Sequence, residues 1–336
     1  MSRCILLILF LICSFTRVCS RNWQNDILGD GYKMYRIVMP NDYSGKVVST
    51  IIKKSANTPT YRAVLYIHGF NDYFFQKEMG NIFVEHDYNF YAIDLRKYGR
   101  SILDGQRVFE VRSLNEYFAD IDSALTIIKY EGNKEIILMG HSTGGLISSY
   151  FLAKMGNKYP EIKALILNSP FMDFNLSNTQ EEYLLPIVSM LSSIFPNISI
   201  SQNSSDAYSK SLLKEYHGEW SYNTDWKIPL SPDVTIGWLG AIYKAQKHLQ
   251  KGVNIKIPIL LMRSSKSVYG DSWNVEFNKG DCVLNVNEIS TYGKRLGENV
   301  KELVVKEGLH DIMLSRKPVR YAVYTYIFNW LDYINL

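Results

Sequence analysis

Gly140-His141-Ser142-Thr143-Gly144 sets a hydroxyl nucleophile between two glycines. An apolar run, Glu135 to Met139, precedes it, and a helical pattern, Leu146 to Met155, follows. A serine at the tip of a strand-to-helix turn sits in a strained backbone conformation. Its neighbours two positions away must then be glycine, because a side chain there would clash. The turn also aims the helix N-terminus, and the N–H of Thr143, at an oxyanion forming beside Ser142. Strand, Gly-x-Ser-x-Gly, helix is the context of a nucleophile elbow. The competing reading is a glycine- and serine-rich loop without chemistry, and the partner residues decide between the two.

A serine hydroxyl needs a general base, and the base needs an orienting carboxylate. The chain has six histidines. His141 lies inside the elbow and is expected to point away from Ser142. His68 precedes a glycine, His86 belongs to a surface helix, and His217 and His248 lie in a long insertion. His310 remains, in a loop after the last expected strand, where it completes the order serine, acid, histidine. The acid should follow the strand Ile257 to Met262, but Arg263-Ser-Ser-Lys-Ser-Val-Tyr-Gly intervenes. Asp281 is favoured, because it stands just before Val-Leu-x-Val and a helix. Asp271, inside a polar loop, is second, and Asp173, after the preceding strand, is third. Capping of a helix or turn is the alternative role for each. Besides Thr143, the second oxyanion donor is expected in His68-Gly69-Phe70, at the N–H of Phe70.

These groups need elements to hold them. Tyr32 to Met39 and Lys46 to Lys53 read as an antiparallel hairpin at a sheet edge. Ala63 to Ile67, Phe90 to Ile93, Ile136 to Met139 and Lys163 to Leu167 read as short apolar strands. Helical patterns alternate with them, near Gln76 to His86 and over Leu114 to Tyr130, where Phe118, Ile121, Leu125 and Ile128 share one face. Such alternation implies an α/β fold with a mainly parallel sheet and helices on both faces. Active sites on such sheets lie at the carboxyl ends of the strands, where His68-Gly69 and Ser142 both fall. The alternation stops over 171–253, which shows helical patches and no convincing strand and reads as a helical cap inserted over the site. It resumes with Ile257 to Met262, a helix over Val283 to Leu296, a strand over Val300 to Val305, and a last helix from Pro318 through Trp330. The expected division is therefore a signal peptide (1–20), a core (21–170 and 254–336) and the cap (171–253).

Composition limits the function classes. The chain has 336 residues, 46% hydrophobic and 21% charged, enough for a sizeable core. Arg3, the apolar run Cys4 to Phe15 and the small residues near Ser20 have the layout of a cleaved secretory leader. Secretion or periplasmic export is thus expected, with an anchor over 4–15 as the lesser reading. Cleavage would remove Arg3 and Arg17, lowering the formal charge from +4 to +2, too little to recruit nucleic acid. It would leave Cys282 alone of the four cysteines, so no internal disulfide forms. Asn175, Asn197 and Asn203 begin glycosylation triplets. No metal or cofactor is expected.

Taken jointly, Ile67-His-Gly-Phe70, Asp94-Leu-Arg-x-x-Gly-Arg-Ser101, Gly140-His-Ser-Thr-Gly-Gly145 and Gly308-Leu-His-Asp311 resemble the monoglyceride lipase and lysophospholipase-like branch of the α/β-hydrolases, also described as serine aminopeptidase-like. The resemblance implies the α/β-hydrolase fold with a helical cap. It also implies Ser142 as nucleophile, His310 as base and the N–H groups of Phe70 and Thr143 as oxyanion hole. The family commonly carries His-Gly and then an Asp soon after the strand that here ends at Met262; Asp281-Cys-Val-Leu looks like that segment displaced by an inserted loop. The activity implied is hydrolysis of carboxylic esters, acylglycerol- or lysophospholipid-like. A peptide-cleaving aminopeptidase, anchored by Glu181 and Glu182, and a non-catalytic binding protein are the alternatives. A small-molecule or lipid ester is the expected partner, with the cap touching a membrane surface or micelle. The apolar stretch Tyr183 to Phe195, through Leu184 and Met190, is expected to line the acyl pocket.

Overall fold

The computed structural model describes residues 22–176, 180–202 and 205–336, and for Glu181 the backbone alone. The expected leader, Ser177 and Asn203 lie outside the described residues.

Nine strands make one sheet in the order β1-β2-β3-β5-β4-β6-β7-β10-β11. In chain order these are β1 (Gln24–Asn25), β2 (Lys33–Asp42), β3 (Gly45–Lys54), β4 (Arg62–Ile67), β5 (Asn89–Asp94), β6 (Glu135–His141), β7 (Ile162–Asn168), β10 (Ile259–Ser264) and β11 (Val300–Val305). β8 (Ser199–Ile200) and β9 (Val234–Thr235) form a separate antiparallel pair inside the insertion, where the sequence showed no convincing strand. Two-residue strands are too short to leave an alternating pattern. The three N-terminal strands are antiparallel to their neighbours, and all later pairings in the large sheet are parallel.

Continuous apolar strands suit a sheet covered on both faces. Successive side chains alternate across β4. Leu65 and Ile67 enter one core layer, with Ile121 and Leu125 of α2 (Glu116–Tyr130) and Leu146 and Phe151 of α3 (Thr143–Met155). Val64 and Tyr66 enter the other, with Met79 and Phe83 of α1 (Lys77–Glu85) and Ile327 and Leu331 of the last helix, α8 (Lys317–Tyr333). The insertion adds α4 (Leu185–Leu191), α5 (Ala207–Leu212) and α6 (Ile236–Gln250). After β10, helix α7 spans Val286–Gly293, shorter than the expected Val283 to Leu296, because Val283 and Leu284 turn their N–H groups onto Asp281 instead. Among the described residues no helix is long and apolar enough to cross a membrane.

Candidate active site

Ser142 ends the turn between β6 and α3 with φ 52° and ψ −117°. That left-handed region is costly for any residue with a Cβ, and surrounding packing must impose it. The glycines show how the turn is accommodated. A Cβ on Gly144 would stand 2.3 Å from the carbonyl oxygen of Ile67, and one on Gly140 would stand 2.5 Å from that of Gly144. Only glycine lets the elbow lie this close to the end of β4. The Ser142 N–H donates to the carbonyl of Asn168 at 3.0 Å, and its own carbonyl accepts from Leu146 and Phe171.

His310 lies in the loop after β11, with Nε2 2.9 Å from Ser142 Oγ and Nδ1 2.9 Å from Asp281 Oδ2. An ionised carboxylate only accepts, so Nδ1–H donates to Asp281 and Nε2 is left to accept from the serine hydroxyl. Asp281 reaches this place through a stitched loop. Its N–H donates to the carbonyl of Lys266 at 3.0 Å, and its carbonyl accepts from Val268 at 2.7 Å. The intervening residues therefore leave and return at one point, and Asp281 sits spatially just beyond β10. Its second oxygen, Oδ1, accepts from Val283 and Leu284, both at 2.8 Å. Asp271 is exposed on the tip of the same loop, and Asp173 is occupied with the N–H of Phe174. Cys282 is the one cysteine among the described residues; burial, and then the neighbouring Asp281, push its thiol well above the usual range.

Phe70 and Thr143 flank Ser142 along the cavity wall. The loop carrying Phe70 is fixed by His68, whose Nδ1 bonds the carbonyl of Gly69 at 2.8 Å while Nε2 accepts from Leu95 at 3.1 Å. Burial holds the His68 imidazole below its ordinary range, against the pull of Asp94 and Asp72, which keeps it in this neutral, two-bonded form. Arg100 braces the loop from behind, paired with Asp26 at 2.6 Å and Asp94 at 2.8 Å, while Asp94 also accepts from Phe74.

Sequence reasoning missed a buried charge cluster beside these groups. Lys227, from the insertion, bonds Asp72 at 2.9 Å, and His141 Nδ1 stands 3.5 Å from Asp72 and 3.8 Å from Asp311. His141 also lines the cavity beside Ser142, its ring 5.0 Å from that of His310. Burial alone would raise the Asp72 carboxyl, yet Lys227 and His141 hold it well below the usual carboxylate range. Asp72, His141 and Asp311 are close enough to share one metal ion. Hydrogen bonds engage three of their four carboxylate oxygens, leaving Asp72 Oδ2 and both His141 ring nitrogens without a hydrogen-bond partner. Lys227 takes Asp72, and Asn168, Gln76 and the Met313 N–H take Asp311. Asp311 stood in the Gly-Leu-His-Asp motif, whereas nothing in the sequence around Lys227 pointed to the core.

Ser142 opens into a cavity of about 180 Å³. Phe70, Phe171 and Trp238, whose rings contact one another, line it together with Tyr208, which packs on His310, and Val283 and Leu284, which follow Asp281. Gln202, Ser205, Ser209 and Lys227 add polar groups. The expected lining by Tyr183 to Phe195 is corrected by the structure. Leu184 is 49% and Met190 65% exposed, and neither meets the cavity. The insertion instead contributes residues between Gln202 and Trp238, because hydrogen bonds tie that part to the core. Asn71 clasps Ile228 with both amide atoms, and Asn223 N–H donates to the Tyr73 hydroxyl. Glu182 is exposed and likewise stands outside the lining.

Residues 58–275 match the family described as serine aminopeptidase, S33, over more than half of the chain. The chain belongs to that family. It is an α/β-hydrolase, and solved structures agree on the fold. A soluble variant of monoglyceride lipase from Saccharomyces cerevisiae, in complex with a substrate analog, superposes with a TM-score of 0.62 at 17% identity, covering 89% of this chain and 95% of that one. The monoacylglycerol lipase of Paleococcus ferrophilus gives 0.57 at 17% identity, over 90% and 99%. Est1E from Butyrivibrio proteoclasticus, bound to ferulic acid, gives 0.55 at 14%, over 88% and 99%. No curated protein matches this hydrolase by sequence.

Proposed function

We propose that the protein is a serine hydrolase that cleaves carboxylic esters, acylglycerol- or lysophospholipid-like, through an acyl-enzyme. The observation that carries this reading is the unbroken chain Ser142 Oγ, His310 Nε2, His310 Nδ1, Asp281 Oδ2 beside a cavity lined by both aromatic and polar side chains. In the first step Ser142 Oγ bonds the acyl carbon while its proton passes to His310 Nε2. The carbonyl oxygen becomes an oxyanion, met by the N–H groups of Phe70 and Thr143. His310 then gives its proton to the departing alcohol. Water then attacks the acyl carbon and gives a proton to His310, and the bond to Ser142 Oγ breaks as His310 passes that proton to the serine, releasing the acid. Asp281 holds the tautomer that leaves Nε2 free to accept. An aminopeptidase would need a carboxylate in the cavity to hold a free amino terminus, and among the described residues no Asp or Glu lines it.

Two finer points belong to the same reading. Tyr183, Leu184, Ile187, Met190, Ile194 and Phe195 are exposed at three- and four-residue spacing, an apolar stripe suited to resting on a lipid surface or micelle. The leader-like first twenty residues support a secreted or periplasmic protein.

A fluorophosphonate probe should label the wild type covalently and leave Ser142→Ala and His310→Ala unlabelled. In the wild type, esters should be turned over and aminoacyl amides left intact. Labelling of folded Ser142→Ala would sink the nucleophile assignment, and preference for the amides would move the reading to a peptidase.

A further inference from the structure

A second cavity, of about 190 Å³, lies beside the catalytic one and shares two of its lining residues, Phe70 and Trp238. Val108, Phe109, Pro232 and Val234 add apolar surface to it, the buried Glu110 and Thr235 with Ser199 add polar groups, and the exposed Arg107 and Asp233 complete the lining. The two shared rings stand 4.7 Å apart at 50°, in direct contact. Neither ring is loose. Phe70 is backed by Phe109 at 5.2 Å, Phe109 by Tyr98 at 4.8 Å, and Trp238 is buried and stacks on Phe171 at 6.4 Å. The rings therefore stand as a partition between the two spaces.

The chemistry says which part of an ester meets that partition. The departing alcohol must take its proton from His310, so it leaves on the side of Tyr208, Val283 and Leu284. The acyl group is then directed to the other side, against Phe171, Trp238 and Phe70. Space on that side is limited. A cavity of about 150 Å³ holds one benzene, so the whole cavity of about 180 Å³, part of which the alcohol takes, has room for at most roughly six acyl carbons. Ligand pockets commonly enclose about 300–1,000 Å³. Joining the two cavities would roughly double the volume and reach that range.

We infer that Phe70 and Trp238 form the end wall of the acyl site and restrict this hydrolase to acyl groups of roughly six carbons. This rests on the ester-hydrolase reading and narrows it to short- and medium-chain esters. The acyl length is set by an aromatic pair, one ring from the oxyanion loop and one from the insertion, so both parts of the chain define the substrate.

The test is the acylation burst with p-nitrophenyl esters from acetyl to dodecanoyl, in the wild type and in Trp238→Leu and Trp238→Ala. Reading ratios to the butanoyl ester cancels any uniform loss. The wild-type profile should rise to about hexanoyl and fall beyond it. Removing the wall should raise the decanoyl-to-butanoyl ratio at least tenfold in Trp238→Ala and by a smaller factor in Trp238→Leu. Trp238→Leu, the milder change, carries the comparison should Trp238→Ala melt. A wild-type profile still climbing at decanoyl overturns the wall, and so does a break that stays in place in a folded variant. The absence of any burst, together with no fluorophosphonate labelling, instead overturns the ester reading and the wall with it.

Discussion

The insertion carries two apolar helices with different fates. α6 buries Trp238, Ile242, Ala245 and Leu249, and Gln246 and Gln250 bond the carbonyls of Phe171 and Met172 at the end of β7. α4 buries Leu185, Val188 and Ser189 but leaves Ile187 and Met190 to solvent. In sequence Tyr183 to Phe195 is the strongly apolar segment and Ile236 to Gln250 the amphipathic one, so hydrophobicity alone does not say which one meets the site. The difference lies in polar ties. The inner part is pinned by Lys227 to Asp72, by Asn71 to Ile228 and by the two α6 glutamines, whereas the outer stripe from Tyr183 to Phe195 has no comparable bond into the core among the described residues. The insertion is thus held where its buried polar groups anchor, and its exposed apolar surface is free to serve another purpose.

The loop between β10 and α7 repeats this contrast, with an anchored base and an exposed tip, and gives the largest expected effect. Asp281→Asn at the base should lower kcat by roughly 10⁴-fold, since the imidazole would lose its orienting acceptor. Asp271→Asn at the tip should change kcat less than about twofold, because nothing in the site touches it. Equal losses in the two variants, measured by steady-state ester hydrolysis, would erase the distinction between base and tip.

Lys227→Met breaks the inner anchor. It leaves Asp72 buried without its ammonium partner, which should cost about 3–5 kcal/mol of stability in denaturant unfolding. The double change Lys227→Met with Asp72→Asn removes the orphaned charge and should recover much of that loss. A Lys227→Met protein as stable as wild type would mean that the inner half of the cap is held as loosely as the outer.

Titration sharpens the same comparison, because the buried His68 fixes the loop that carries Asn71, Asp72 and Tyr73, whereas the stretch Tyr183 to Phe195 has no histidine. Burial makes the folded His68 bind its proton less readily than a free imidazole, whose ordinary pKa is about 6.5. As pH falls through that value the unfolded chain takes up a proton that the folded one refuses. Stability from this group is therefore full above about pH 7 and is lost as pH falls below about 6.5. His68→Asn should flatten this part of the stability curve, and an unchanged slope would assign the acid sensitivity to other groups.

The smallest effect belongs to the outer stripe. Ile187→Glu and Met190→Glu should alter unfolding free energy by no more than about 0.5 kcal/mol, since both side chains already face water. Their cosedimentation with neutral phosphatidylcholine vesicles should nonetheless fall severalfold below wild type. Undiminished vesicle binding would remove the lipid-surface role of the stripe.

The local alphabet of the core was legible in the sequence. Gly-x-Ser-x-Gly between a strand and a helix is dictated by close backbone approach, which the clashes at Gly140 and Gly144 make concrete. Continuous apolar strands with helices between them require a covered parallel sheet, and the loops at their carboxyl ends had to hold Ser142 and His310. The choice of Asp281 over Asp271 depended on loop closure. Hydrogen bonds between Lys266, Val268 and Asp281 join residues more than ten positions apart, which no periodicity records. The direction of the cap was decided in the same way. Tyr183 to Phe195 is apolar enough to line a pocket, but burial is a property of the whole packing. Long-range bonds from Asn71, Asp72 and Tyr73 to residues 223–228 brought a different segment over Ser142. Sequence set what each segment could do, and the tertiary structure decided which of them faces the substrate, because a hydrogen bond between distant residues exists only once the chain has closed on itself.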